Sequence, residues 1–276
     1  MIVSEALRAA AERLSETSDT ARLDAELLMA HGLEVSRSDM LLRHMDEAEP
    51  AGFAAFIDRR AAREPVAYIM GYTEFYGRRF DVGPGVLIPR DDSEAVIAAA
   101  LDAQPSPERV LDMGVGSGAL LLTVLCERPE ARGIGMDRSP TALEIAQSNA
   151  QSWDAENRTQ LLQRDWNTPE WADNLGQFDL ILCNPPYVES DADLERDVRD
   201  FEPAEALFAG ADGMDDYRIL IPQLGALLKD EGVIILEIGH SQGQAVRALA
   251  RAHGFTVEIK HDLGNRPRCV VLHQGK

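Results

Sequence analysis

The residues with the most distinctive chemistry are Asn184-Pro185-Pro186-Tyr187, which close the apolar run Phe178-Asp179-Leu180-Ile181-Leu182-Cys183. Neither proline can donate a backbone hydrogen bond, so sheet pairing alone does not account for such a strand ending. The prolines stiffen the backbone and hold Asn184 and Pro185 extended or turned, with carbonyls free to face outward. A fixed set of acceptors of this kind suits a planar amino group with two N–H donors. Taken alone, the tetrapeptide fits a tight strand-to-loop connection with an aromatic plug equally well.

A second candidate site is Asp112-Met113-Gly114-Val115-Gly116-Ser117-Gly118-Ala119, between a strand and a helix. Glycines there permit a tight turn and the close approach of a ligand to the backbone. Gly114, Gly116 and Ala119 satisfy the loose dinucleotide fingerprint, so the loop indicates a nucleotide or nucleoside without saying which. Asp137 ends the next strand, where a carboxylate can accept both ribose hydroxyls in dinucleotide and S-adenosylmethionine binders alike. Asp112 adds a second carboxylate, which repels a pyrophosphate but attracts an ammonium and a sulfonium. Asp165-Trp166, past the third strand, offers an acid for an adenine amino group and a ring to stack on it; Trp166 suits plain core packing as well.

The elements that must position these residues fall into three stretches. Residues 1–64 read as a small bundle of four short helices: apolar positions recur three and four apart in Ala6, Leu7, Ala10, Leu14, in Leu23, Ala25, Leu27, Leu28, and in Phe53, Phe56, Ile57. Residues 65–85, aromatic and branched segments punctuated by Gly71, Gly77, Gly83 and Gly85, read as a β-hairpin linker. Residues 86–276 begin with Leu87-Ile88-Pro89-Arg90-Asp91-Asp92-Ser93-Glu94, where Ser93 or an aspartate is expected to cap a helix through Ala95, Val96 and Ile97. Beyond Arg109, strands and helices alternate, which predicts an α/β domain with a largely parallel sheet covered on both faces. Strands are expected at 110–113, 133–137, 160–163, 178–183, 232–238, 255–260 and 269–273. Only a short turn separates the last two, so they should form an antiparallel hairpin.

Composition narrows the function classes. The formal net charge is −20 over 276 residues, which argues against a large nucleic-acid footprint, since phosphates are met mainly by Lys and Arg. Cys126, Cys183 and Cys269 are odd in number and sit among apolar neighbours, as reduced core residues of a cytoplasmic protein do. No histidine pair or cysteine cluster has metal-ligand spacing, so no metal is expected. No apolar run approaches membrane-spanning length and the N-terminus lacks a targeting pattern, so the chain is expected to be soluble, away from membranes.

With the glycine loop, Asp137, Asp165 and Asn-Pro-Pro-Tyr after successive strands, the chain resembles class I S-adenosylmethionine-dependent methyltransferases that modify a planar nitrogen. Such enzymes methylate the exocyclic amino group of adenine or the side-chain amide of glutamine. The flanks Arg63-Glu64-Pro65-Val66-Ala67-Tyr68-Ile69-x-Gly71, Glu74-Phe75, Leu87-Ile88-Pro89-Arg90-x-x-Ser93-Glu94, Phe201-Glu202-Pro203-x-x-Ala206-Leu207 and Leu236-Glu237-Ile238-Gly239 are similar to those of the HemK/PrmC family. That resemblance implies a seven-stranded Rossmann-like sheet and S-adenosylmethionine as cofactor, bound through Asp112, Gly114, Gly116, Gly118, Asp137, Asp165, Trp166 and Asn184. It implies catalysis by Asn184, Pro185 and Tyr187, with Pro186, Arg90 and Glu202 shaping the substrate site. The implied substrate is the glutamine of the Gly-Gly-Gln loop in bacterial class-1 release factors, docked by the N-terminal bundle of a monomer. Ribosomal-protein glutamine methyltransferases share much of the pattern. Asp91, Asp92 and Ser93 depart from the family's usual Pro, acid, Thr, serine keeping a capping hydroxyl. The turn Gly264-Asn265-Arg266-Pro267-Arg268 also departs, and that end is expected to lie away from the chemistry.

Overall fold

Apolar residues three and four apart fold the N-terminal stretch into helices in the computed structural model, which describes residues 1–275. These are α1 (Val3–Leu14), α2 (Ala21–Gly32), α3 (Arg37–Arg43), α4 (Phe53–Ala61) and a short α5 (Val66–Met70). Val3, Leu7, Leu14, Leu28, Met29 and Met40 are fully buried among them. Four helices over 1–64 match the expectation; α5 lies within the stretch assigned to the linker, because Pro65 opens it and Gly71 ends it in the left-handed region. Residues 1–73 and 194–202 form one compact unit, and 74–193 with 203 onward form the other. Within the first unit, buried Arg60 lies between Asp24 at 2.7 Å and Asp197 at 2.6 Å. Such a cation is tolerable only because both carboxylates stay with it.

Next come β1 (Tyr72–Phe75) and β2 (Arg78–Asp81), a two-stranded sheet. Tyr76 and Gly77 both have positive φ, 51° and 68°, the two-residue turn whose twist matches a hairpin. A 3₁₀ turn, Asp91–Ser93, then leads into α6 (Glu94–Ala103). Ser93 does not cap α6. Its backbone is already helical (φ −69°, ψ −11°), whereas a side-chain cap needs an extended residue.

The alternation predicted beyond Arg109 is present in full. β3 (Arg109–Met113), α7 (Ala119–Glu127), β4 (Arg132–Asp137), α8 (Pro140–Ser152), β5 (Thr159–Gln163) and β6 (Phe178–Cys183) are followed by α9 (Arg196–Phe201), which belongs to the first unit. α10 (Asp215–Leu227), β7 (Leu228–Glu237), α11 (Gly243–Ala252), β8 (Phe255–His261) and β9 (Pro267–Gln274) complete the chain. The seven-stranded sheet has the order β5-β4-β3-β6-β7-β9-β8; β3 to β7 pair in parallel, and β9 runs antiparallel to both β7 and β8. Leu180 and Leu182 enter one core cluster with α6 and α7, while Ile181 and Cys183 enter the other with α10 and α11. This is the period-two consequence of a strand covered on both faces, and it explains why β6 reads as a continuous apolar run.

Candidate active site

β3 and β6 lie side by side, Met113 opposite Cys183, so Gly114 and Asn184 leave the sheet as neighbours. The chain proceeds from β3 to β4 and β5 on one side and returns to β6 on the other, and at such a switch point the two loops part and leave a crevice. A cavity of about 390 Å³ opens there, bounded by Asp112, Gly114, Gly116, Asp137, Asp165, Trp166, Asn184 and Pro186.

The glycine loop is bent by three residues in the left-handed region: Gly114 (φ 74°), Gly116 (54°) and Gly118 (85°). A Cβ on Gly114 would come within 3.2 Å of the Trp166 ring, so glycine there keeps the ring against the loop. The Gly116 N–H donates to Asp137 Oδ2 at 3.0 Å, and the Ser139 N–H to Oδ1 at 2.9 Å. Buried Asn149 of α8 tethers the loop from behind, its amide donating to Ser117 O (2.8 Å) and Asp81 O (3.0 Å) while its oxygen accepts from the Asp81 N–H (2.7 Å).

The electrostatics of the cavity are unusual. Its wall carries Asp112, Asp137, Asp165, Glu205, Asp215 and Asp216 against Arg138 and Arg164. Asp112 is wholly buried; its Oδ2 accepts from the Leu121 N–H at 3.1 Å, whereas Oδ1 has no partner among the described residues. Burial, with the nearby Asp137 charge adding to it, pushes the Asp112 carboxyl up to about 8. Burial also raises Asp137, against the N–H groups that favour its charge. Asp216 accepts the Trp166 indole N–H at 2.6 Å and is raised by burial in turn. A pyrophosphate would meet mostly carboxylates here. A ligand bearing an ammonium and a sulfonium would relieve them, and the unpartnered Asp112 oxygen fits the former.

At the other end of the cavity stands the Asn184 turn. Pro185 and Pro186 are buried and lack N–H groups; the first amides after them, Tyr187 and Val188, both donate to Leu207 O (3.1 and 2.8 Å). Asn184 and Pro186 line the cavity, together with Ser93, Pro89 and Phe75. Gly118, Pro185, Tyr187 and Arg90 do not. Tyr187 turns away, its hydroxyl donating to Glu237 Oε1 at 3.3 Å, with Arg90 close enough to act on it electrostatically. Glu202 is buried at the end of α9, its N–H on Val198 O, in the helical unit.

The C-terminal turn is not remote from these groups. Arg268 pairs with Asp92 at 2.6 Å, and its charge acts on Glu237 and Tyr187. The reason is register: Cys269 pairs with Glu237 across β7 and β9, which delivers Arg268 to the end of β7. Sequence reasoning also missed Asp216, Asn149 and Gln242. Asn149 alone left a trace, standing with Ala142, Ala146 and Ala150 on the buried face of α8, where a polar residue requires a partner.

Sheet order and cavity together define a class I methyltransferase. The chain aligns at a TM-score of 0.54 with a methyltransferase from Pyrococcus furiosus (16% identity, 73% of this chain and 91% of that one). It aligns at 0.50 with ribosomal protein L11 methylase from Lactobacillus delbrueckii subsp. bulgaricus (22%, 71% and 84%). Residues 5–71 match the PrmC N-terminal domain, and residues 88–207 the methyltransferase small domain. Release factor glutamine methyltransferases from Cereibacter sphaeroides and Caulobacter vibrioides are 42% and 39% identical, covering 98% and 97% of this chain and 98% and 94% of theirs. The chain belongs to the release factor glutamine methyltransferase family.

Proposed function

We propose that this protein transfers a methyl group from S-adenosylmethionine to the side-chain amide nitrogen of the glutamine in the Gly-Gly-Gln loop of bacterial class-1 release factors. The observation that carries the reading is one cavity with the buried carboxylate of Asp112, whose Oδ1 has no partner among the described residues, in its wall and the Asn184 turn beside it. The full-length relatives supply the choice of a release factor. A net charge of −20 supports a protein rather than a nucleic acid as substrate. The helical unit is the proposed dock for the release factor.

When bound, S-adenosylmethionine supplies an already electrophilic methyl group. Asp112 would take its ammonium, Asp137 its ribose hydroxyls, and Trp166, held by Asp216, one face of its adenine. An amide nitrogen is a poor nucleophile because its lone pair is delocalised into the carbonyl, so this chain's contribution is position and polarity. The side-chain oxygen of Asn184, in the cavity wall, and the Pro185 carbonyl beside it accept the two N–H groups and hold the nitrogen at the cavity edge. As the nitrogen gains positive charge, the same acceptors bind it more tightly, a stabilisation specific to the transition state. A methylated, protonated amide is strongly acidic and releases its proton to water, so no dedicated base is required.

The test is incubation with labelled S-adenosylmethionine and a panel of purified release factor, ribosomal protein and DNA. Label on the release factor is expected. Label on DNA adenine would overturn the substrate assignment, and label confined to the ribosomal protein would move it to the sibling activity.

A further inference from the structure

Glu237, the last residue of β7, is 1% exposed and takes no part in the mechanism above. A carboxylate sealed at the end of a core strand is costly unless something uses it. Its Oε1 accepts the Tyr187 hydroxyl, and its Oε2 has no hydrogen-bond partner among the described residues. Ser93, Arg268, Tyr187 and Asp92 act on it most strongly, and Tyr217, Cys183 and Cys269 also lie within range of its charge. Ser93 also lines the cavity, and its hydroxyl faces the carboxyl without closing a regular hydrogen bond. Burial raises the Glu237 carboxyl above its ordinary range, although Ser93, Arg268 and Tyr187 all favour its charge.

The backbone of Tyr187 is held independently. The Gln242 amide, buried, donates to Tyr187 O at 2.9 Å and to Gly213 O at 3.0 Å, while its oxygen accepts from the Gly239 N–H at 2.9 Å. With the carbonyl fixed by Gln242 and the N–H by Leu207 O, the remaining freedom of Tyr187 is its ring. The ring packs against the core beneath the sheet, and among the described residues its hydroxyl hydrogen-bonds Glu237; Tyr187 is two residues from one amide acceptor and three from the other.

We propose that Glu237 is a positioning residue for methyl transfer, acting through the Tyr187 hydroxyl to hold the Asn184–Tyr187 turn in an arrangement that lets Asn184 and Pro185 take the two amide N–H groups together. It touches neither substrate nor cofactor. The inference rests on the reading of Asn184 and Pro185 as the amide acceptors, and the experiment separates the two.

The test is a double-mutant cycle on Tyr187→Phe and Glu237→Leu, with Glu237→Gln as the conservative variant, read as single-turnover methylation of a release factor. Loss of one positioning hydrogen bond is expected to slow the transfer step about tenfold. The double variant is expected to be no slower than either single one, because both remove the same contact. Cofactor affinity by calorimetry and the KM for release factor should stay within about twofold of the parent protein, since neither residue lines the cavity. Glu237→Gln retains an acceptor oxygen and should recover to within about threefold. Additive losses, a parental rate in Glu237→Leu, or a Glu237→Gln variant as slow as the Leu variant would overturn the proposal. Should Glu237→Leu fail to fold, Tyr187→Phe decides: a parental rate refutes it, and a tenfold loss at unchanged cofactor affinity supports it. A fully active Asn184→Ala would instead remove the acceptor reading beneath it.

Discussion

Replacing Asp112 by Asn should make the ligand-free protein more stable and the cofactor site useless. Burial raises this carboxyl from 3.8 to about 8. A carboxyl raised on folding binds its proton more tightly in the folded state, so its contribution is fully present below pH 3.8 and is lost as pH rises toward 8. At about 1.36 kcal/mol per pH unit the total loss is on the order of 6 kcal/mol, an upper bound, and about 4 kcal/mol of it has gone by pH 7. Asparagine matches the neutral acid in shape and cannot ionise. The variant should therefore equal the parent protein near pH 4 and exceed it by several kcal/mol at pH 8.5. Urea unfolding followed by tryptophan fluorescence reads this directly, because Trp153, Trp166 and Trp171 all lie in the sheet unit. S-adenosylmethionine should then raise the urea midpoint of the parent protein and leave that of the variant unmoved. Equal stability of the two proteins across pH 4 to 8.5 would refute the burial that raises the Asp112 carboxyl.

Asn184→Ala should keep cofactor affinity within about twofold and lower turnover by about a hundredfold or more, because it removes an acceptor that matters most in the transition state; stopped-time methylation and calorimetry measure the two separately. Asn149→Ala strands the Asp81 N–H and the Asp81 and Ser117 carbonyls and should cost about 2–3 kcal/mol in urea unfolding. Gly213→Ala should weaken both stability and turnover: φ is 65°, and a Cβ would come within 2.2 Å of the Tyr187 carbonyl oxygen, forcing the Asn184–Tyr187 turn to move.

The parts of this protein that were legible from sequence are those whose signal is local. β3 and β6 announce themselves as apolar runs because both faces are covered, and the Gly114 loop because its turn tolerates no Cβ. The parts that were not legible depend on which strand lies beside which. Glu237 lies 50 residues from Tyr187, and nothing near either residue records the pairing. The expected antiparallel hairpin of the last two strands is present, but the turn before β9 was expected to lie away from the chemistry; β9 also pairs with β7, which carries Arg268 to Asp92. Ser93 or an aspartate was read as the cap from residue type, yet the 3₁₀ turn that Ser93 closes places its backbone in the helical region and leaves its hydroxyl to face Glu237. Asp112 was legible as a carboxylate suited to a cation, but its complete burial, from which its raised pKa follows, is a property of the packed core.

The central claim is that the Asn184 turn presents a glutamine amide to the methyl donor. Peptide mass mapping of release factor, after reaction with the parent protein and with Asn184→Ala, tests it most directly. A single methyl group on the side-chain nitrogen of the Gly-Gly-Gln glutamine, formed by the parent protein and nearly absent with the variant, is the expected result. A methyl group on any other residue, or an equal yield from Asn184→Ala, would contradict it.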